Sequence, residues 1–234
     1  MRNRNLTYAV VRFPGSNCDY DTFNTITNVL GDKADFLWHN QDKIANYDCI
    51  VLPGGFSYGD YLRCGAIARF SPIMEAVINY AEKGGIVIGI CNGFQVLLES
   101  GLLPGALLKN KQHRFICKYV NLKCENNNTA FTKNIVDVNK PIKIPIAHFD
   151  GNYYADDDVY QELEKNNQII FRYCDENGKV SEEANPNGSI GNVAGIINKK
   201  GNVLGMMPHP ERATEKLLGS QDGKMIFESI RNFI

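Results

Sequence analysis

The sequence lacks several features that would point to particular classes of protein. Its seven cysteines, scattered over 234 residues, are odd in number and never form a CxxC pair, which argues against a disulfide framework and predicts reduced thiols. The formal net charge is only −1, so electrostatics gives no reason to expect a nucleic acid or an anionic membrane as partner. Neither GxxxxGK(S/T) nor GxGxxG occurs, and the sequence therefore predicts no nucleotide site in this chain.

Long hydrophobic runs are also missing, and none approaches the roughly 20 residues that span a membrane. The N-terminal stretch MRNRNLTYAVVRFPG has an apolar run too short for a signal peptide and no small-residue cleavage site. We therefore expect a cytoplasmic protein. Because repeats, low-complexity stretches and clear linkers are all absent, the sequence predicts a single domain over residues 1–234.

Short apolar runs alternate with helical periodicity through the first part of the chain. This alternation predicts an α/β fold with a mostly parallel central sheet and helices on both faces, as in flavodoxin-like proteins. After Gly101, short strand patterns predominate, so we expect an antiparallel β extension laid against the first half. The predicted strands are 6–13, 34–38, 49–52, 86–90, 115–124, 143–147, 168–173, 193–198 and 203–207, and the predicted helices are 21–30, 72–83, 93–99 and 222–233.

The stretch GGIVIGICNGFQVLLE, residues 84–99, predicts a buried strand that runs directly into a helix. Cys91 lies at the junction in the pattern G-x-C-x-G, a cysteine version of the nucleophile elbow. Taken alone, a cysteine after a buried strand is more often an inert core thiol. Here the flanking glycines allow a sharp turn, and the N-terminus of the following helix favours a thiolate. Cys91 is therefore the predicted nucleophile.

A cysteine nucleophile needs a base, and His209 stands out among the four histidines because of its frame, MMPHPER. Two prolines fix an extended path, in which residues i and i+2 point to the same side. Glu211 is therefore expected beside His209, where it would orient the imidazole as in a catalytic triad. The backbone N–H of Asn92 and the turn at Gly54 and Gly55 are the predicted oxyanion donors.

Other residues that could carry chemistry have simpler interpretations. Cys18 also follows a strand, but without the second glycine it is interpreted as a decoy. His148 is more simply a structural or interface histidine than a second base. The loop 56–63 is either an ordinary loop or a partner contact, and its aromatics and arginine favour contact. No metal site is predicted, because no zinc spacing is matched by His113, Cys117 and Cys124.

Five strings resemble those of class I (triad) glutamine amidotransferases, and more narrowly those of glutaminase subunits of phosphoribosylformylglycinamidine synthase. The strings are PGGFSYGDYLRCGAIA (53–68), GICNGFQ (89–95), GLLPGAL (101–107), NPNGS (185–189) and GMMPHPER (205–212). The elbow is common to the class, whereas PGGFSYGDYLR and PHPER together are specific to the narrower family. The resemblance implies a triad of Cys91, His209 and Glu211, an oxyanion hole at Gly54, Gly55 and Asn92, and a substrate contact at Gln95.

The resemblance also implies a function: hydrolysis of L-glutamine to glutamate through a Cys91 thioester. The ammonia would pass to a synthetase subunit that converts formylglycinamide ribonucleotide to formylglycinamidine ribonucleotide. No cofactor is expected in this chain; ATP and magnesium would belong to the partner, with or without a third small subunit. The alternatives are a glutaminase for another synthetase, a stand-alone cysteine hydrolase, or a non-catalytic binding module. One departure lies at Phe149 and Asp150, where the family more often has Gly and Glu, so the role of the loop 147–153 stays open.

Overall fold

The structure, a computed structural model, describes residues 5–234. The first four residues of the predicted domain, which also begin the stretch considered as a signal peptide, lie outside that range. The elements in chain order are β1 (Thr7–Arg12), α1 (Asp19–Asn24), β2 (Lys33–Trp38), β3 (Cys49–Leu52), α2 (Pro72–Glu82), β4 (Ile86–Ile90), α3 (Asn92–Glu99), β5 (Ala106–Leu108), β6 (Ile116–Cys124), β7 (Ile142–His148), β8 (Asn152–Tyr154), α4 (Asp157–Lys165), β9 (Ile169–Cys174), β10 (Val193–Ile197), β11 (Val203–Met206) and α5 (Lys224–Phe233).

One nine-stranded sheet forms the centre of the fold, in the order β2-β1-β3-β4-β11-β10-β9-β6-β7. Strands β2, β1, β3, β4 and β11 are parallel to their neighbours in that series. The strands from β10 to β7 continue the sheet in antiparallel pairs. This arrangement confirms the α/β fold with a mostly parallel core and an antiparallel extension.

The sequence does not predict how the two halves join. In the described part of the chain, the antiparallel half forms no second layer and continues the same nine-stranded sheet. β11 pairs in parallel with β4, with Gly205 opposite Gly89, and in antiparallel fashion with β10. The 193–207 hairpin therefore joins both halves into one hydrogen-bonded sheet. Both strands of this hairpin are fully buried and pair with a neighbour on each edge. The sequence pattern shows that they are apolar but not which strands they pair with.

Short elements account for most of the features that the sequence did not predict. A small separate sheet pairs β5 with β8, and each strand has only three residues. The acidic run at 156–158, for which the sequence indicates either a solvated loop or a helix start, begins helix α4; there the side chain of Asp156 accepts a hydrogen bond of 3.0 Å from the N–H of Val159. An N-cap of this kind satisfies an amide that the first helical turn leaves unpaired. The predicted helix 21–30 is α1 continued by a π-helical turn at Thr25–Val29.

Burial explains why the central strands read as continuous apolar runs. Every residue of β3 and β4 is buried, as expected for parallel strands covered on both faces. Helix α2 contributes an apolar stripe whose buried members are Ile73, Met74, Val77 and Ala81. Among the described residues, no helix is both long and apolar enough to cross a bilayer. The parallel arrangement brings the carboxyl ends of β1, β3, β4 and β11 to one edge, where a site is expected.

Candidate active site

Cys91 occupies a strained turn between β4 and α3. Its backbone has φ 50° and ψ −104°, in the left-handed half of conformational space that non-glycine residues rarely adopt. The turn is held by the N–H of Cys91, which donates to the carbonyl of Met206 at 2.8 Å. Gly93 allows the close approach, because a Cβ at that position would overlap the carbonyl oxygen of Leu52. The elbow predicted from the sequence is therefore present in its full backbone form.

His209 and Glu211 form a buried, hydrogen-bonded pair, as their spacing predicts. Nδ1 of His209 lies 2.6 Å from Oε1 of Glu211, and each residue is 2% exposed. The chain is less extended than expected, because Pro210–Arg212 forms a 3-10 turn. His209 itself is anchored through its backbone N–H, which donates to the carbonyl of Pro145 at 2.8 Å. The carboxylate thus holds one ring nitrogen and leaves Nε2 for chemistry.

The environment of His209 favours its protonated form. Burial by itself would lower the pKa of this imidazole, but the charge of Glu211 and the nearby sulfurs of Cys91 and Cys18 hold the pKa well above its ordinary value. Its Nε2 atom is buried and has no hydrogen-bond partner among the described residues. An imidazolium beside a cysteine is the ion-pair arrangement that activates cysteine nucleophiles.

Cys18, interpreted from sequence as a decoy, lies in contact with the base. The ligand atoms of Cys18, His209 and Glu211 are all within 4.8 Å of one another. Burial raises the pKa of the Cys18 thiol, and its Sγ–H donates to Oδ1 of Asn17 at 3.0 Å. Such a trio resembles a metal-ligand set, yet the Glu211 carboxylate is already bonded to Nδ1. We therefore assign Cys18 to the packing around the imidazole.

Gly54 and Gly55 occupy different places in the site. A Cβ on Gly54 would lie 2.7 Å from Cε1 of His209 and 2.9 Å from Sγ of Cys18. Any larger residue at this position would therefore clash with the imidazole. Gly55 instead lines the cavity that contains Cys91. Asn92, which directly follows Cys91, supplies the first amide of α3, and that amide has no acceptor within the helix. The geometry therefore favours Gly55 and Asn92 over Gly54 as oxyanion donors.

A cavity of about 320 Å³ opens beside Cys91, at the small end of the range of about 300–1,000 Å³ for small-molecule sites. Gln95 lies in its wall and donates from Nε2 to the carbonyl of Asp150 at 2.8 Å. Its Oε1 accepts from Nδ2 of Asn92 at 2.8 Å. The lining residues are Gly55, Phe56, Asp60, Leu62, Arg63, Cys64, Cys91, Gln95, Lys109, Ala147, His148, Phe149 and Asp150.

Sequence reasoning missed part of this wall. Asp60 and Cys64 lie inside the PGGFSYGDYLRC string, but no spacing rule assigned them a role. His148 and Asp150 belong to the loop whose role was left open, and both line the cavity. His148 is a structural histidine in one respect, since its Nδ1 lies 3.0 Å from Oδ1 of Asn110. The sequence did offer one signal. The predicted strand at 143–147 ends next to His148, and residues that follow strand ends are candidates for the site.

Comparison with known proteins identifies the family. The sequence profile of the CobB/CobQ-like glutamine amidotransferase domain matches residues 5–233. This chain belongs to that family of glutamine amidotransferases. Two relatives named phosphoribosylformylglycinamidine synthase subunit PurQ come from Moorella thermoacetica and Aquifex aeolicus. The first is 57% identical over 96% of this chain and 95% of its own length, and the second is 54% identical over 96% and 99%.

Solved structures agree with this glutamine amidotransferase assignment. A chain in the structure of PurLQS from Thermotoga maritima is 43% identical and superposes with a TM-score of 0.87, covering 98% of this chain and 99% of its own. A glutamine amidotransferase from Thermotoga maritima is only 15% identical, with a TM-score of 0.56 over 98% and 92% of the two chains. That second likeness shows the fold alone. Together with the profile match, these findings confirm the family predicted from the five strings.

Proposed function

We propose that this glutamine amidotransferase is the glutaminase subunit of a phosphoribosylformylglycinamidine synthase. In this role it hydrolyses L-glutamine to glutamate and supplies ammonia to a synthetase subunit. The observation that carries the proposal is the buried pair of His209 and Glu211 close to the sulfur of Cys91, which itself lies in the cavity wall. The names and identities of the PurQ relatives support the choice of synthase.

The first half of the reaction forms a thioester. The Cys91 thiolate attacks the side-chain amide carbon of glutamine, and a C–S bond forms while negative charge develops on the amide oxygen. The N–H groups of Gly55 and Asn92 are the donors that stabilise this oxyanion, and losing one such donor typically costs about 3–4 kcal/mol. His209 then donates its proton to the amide nitrogen, the C–N bond breaks, and ammonia leaves.

The second half regenerates the enzyme. His209, now neutral, takes a proton from a water molecule that attacks the thioester carbon. The C–S bond breaks, glutamate leaves, and the proton on His209 restores the imidazolium beside the thiolate. Throughout the cycle Glu211 fixes the tautomer by accepting a hydrogen bond from the Nδ1–H of His209, and it stays ionised, as the aspartate does in serine triads. Gln95 holds the substrate at the cavity wall.

Ammonia must reach its acceptor without protonation, so a partner has to cover the cavity. We assign this contact to the loop 56–63, in which Tyr61 is 71% exposed and Leu62 is 82% exposed. Leu62 also lines the cavity. The partner would be the synthetase subunit, with ATP and magnesium bound there, and a third small subunit would complete the complex in the cytoplasm. The printed name PurLQS of the Thermotoga maritima structure supports an assembly of this kind.

Replacing the nucleophile tests this function directly. In the complex reconstituted with its synthetase, Cys91→Ala is expected to abolish glutamine-dependent product formation while the rate with added ammonium chloride stays unchanged. Loss of both activities would mean that Cys91 has a structural role. Glutamine turnover by the wild type that needs no synthetase would indicate a stand-alone hydrolase, and no turnover with any partner would indicate a binding module.

A further inference from the structure

Two carboxylates lie together in the wall of the catalytic cavity. Asp60 and Asp150 both line it, and the thiol of Cys64 sits between them, donating to Oδ2 of Asp150 at 3.2 Å and interacting with Asp60. The pKa of Asp60 is raised, chiefly by burial. The hydrogen bond from Cys64 lowers it, and the charge of Asp150 raises it further. Two carboxylates that contact the same thiol in a half-buried wall repel each other when both are ionised, unless a cation lies nearby.

The protein itself does not supply that cation. Among residues 5–234, no lysine, arginine or histidine forms an ion pair with either aspartate. The two basic residues in the same wall are directed elsewhere, since Arg63 pairs with Glu99 at 2.6 Å and Nζ of Lys109 lies 5.9 Å from the ring centroid of Phe149. Oδ1 of Asp150 is buried and has no hydrogen-bond partner in the described chain. Nδ2 of Asn92 donates to Oδ1 of Asp60 at 3.5 Å, so the pair presents one unpartnered acceptor and a negative charge that no basic side chain in the described chain balances.

His148 provides a second, independent acceptor in the same wall. It is 3% exposed, and its Nε2 has no partner among the described residues. Asn110 fixes its tautomer, because Nδ2 of Asn110 donates to the carbonyls of Arg114 and His148 while Oδ1 accepts from the N–H of Gly151. Nδ1 of His148 must then be the donor to Oδ1 of Asn110. Nε2 is left as a bare lone pair, in a ring whose pKa is lowered to about 3, chiefly by burial.

A cluster of two carboxylates and a neutral imidazole nitrogen fits a primary ammonium, which offers three donors and a charge. Glutamine carries one such group, and it lies at the end of the molecule opposite the reacting amide. Gln95 links the nucleophile to the acidic part of the wall. Its backbone N–H donates to the carbonyl of Cys91 at 3.1 Å, and its side-chain Nε2 donates to the carbonyl of Asp150. Resting on the proposed glutaminase function, we propose that Asp60, Asp150 and His148 bind the α-ammonium group of L-glutamine.

The test compares L-glutamine with glutaramate, the same molecule without its α-amino group, in the complex reconstituted with the synthetase. Charged hydrogen bonds of this kind should make Asp60→Asn and Asp150→Asn lower kcat/KM for glutamine roughly ten- to hundred-fold. For glutaramate, which has no ammonium to bind, kcat/KM should stay unchanged in both variants. Asp42→Asn, at an exposed aspartate that does not line the cavity, is the matched control and should alter neither value.

Three outcomes would overturn the assignment. Equal losses on glutamine and glutaramate would mean that the aspartates only support the fold of the wall. Unchanged kcat/KM for glutamine would mean that the ammonium binds elsewhere. A changed inhibition by ammonium chloride, with the preference for glutamine over glutaramate intact, would assign the wall to product ammonium instead. Ammonia-dependent synthesis by each variant complex verifies its folding, and the Cys91→Ala result is independent of all three, so failure here leaves the glutaminase function standing.

Discussion

Replacing Glu211 by Gln removes one charge from the buried pair while keeping its size. In the wild type the carboxylate lies 2.6 Å from Nδ1 of His209 and works against burial to hold the pKa of the imidazole well above its ordinary value. Without that charge the burial effect is less opposed, so the pKa of His209 should fall. The glutamine amide can also donate to Nδ1 and so stabilise the wrong tautomer, with the proton on Nε2.

Both effects act on the group that protonates the departing nitrogen. A positioned acid–base group contributes about 10²–10⁴-fold, and this pair is fully buried, so we expect kcat/KM for glutamine to fall about 10³-fold, or about 4 kcal/mol. The assay is glutamate release by the reconstituted complex over a range of pH. The limb of the pH profile that belongs to the imidazolium should move to lower pH in the variant.

Stability gives a second measure with a definite sign. The pKa of His209 is higher in the folded protein than the ordinary value of 6.5. Protonated His209 therefore increases the free energy of unfolding at pH values below 6.5, and this contribution is lost as the pH rises through the raised pKa. Glu211→Gln should weaken this dependence, because Glu211 is the largest of the contributions that raise the pKa of His209. A loss of less than about tenfold in kcat/KM at neutral pH, with ammonia-dependent activity intact, would refute the triad assignment of Glu211.

Two further predictions concern backbone clearance and the buried histidine. Gly93→Ala would place a Cβ against the carbonyl of Leu52 and should lower the free energy of unfolding by at least about 2 kcal/mol in urea denaturation; an unchanged midpoint would contradict the close approach. His148 has a pKa lowered from 6.5 to about 3, so the unfolded chain binds the extra proton and stability should fall as pH drops below 6.5, by up to about 1.4 kcal/mol per pH unit. His148→Gln should flatten that slope, and equal acid slopes for the two proteins would refute the buried, neutral state.

The parallel core, the elbow at Cys91 and the pairing of His209 with Glu211 could be predicted because their signals are local. Continuous apolar runs such as those of β3 and β4 indicate strands buried on both faces. The G-x-C-x-G and proline-framed patterns each impose a backbone path within a few residues. Both patterns lie at strand ends, and parallel strands bring such ends to one edge. Cys91 and His209 could therefore be placed together without any contact being visible in the sequence.

The remaining features depend on contacts between distant segments. Cys18 was set aside because its own frame lacks a second glycine, yet Gly54 places it against the imidazole. Asp60 and Asp150 have no ion-pair partner in the described chain because Arg63 and Lys109 make other contacts, which sequence periodicity does not report. β11 lies between β4 and β10 in the sheet. Hydrophobic patterning shows that these strands are buried but does not show which of them are neighbours.

The pairing of β4 with β11 has a consequence for when activity can arise. The nucleophile follows β4 and the base follows β11, and the two strands are joined by one hydrogen-bonded ladder that ends where Met206 accepts from Cys91. Among residues 5–234, β11 follows every other strand in chain order, so it is synthesised after them. A nascent or truncated protein that lacks it carries the thiol but no imidazole to activate it. Under the proposed function, hydrolysis of glutamine waits for completion of the sheet, and unfinished chains are expected to release no ammonia.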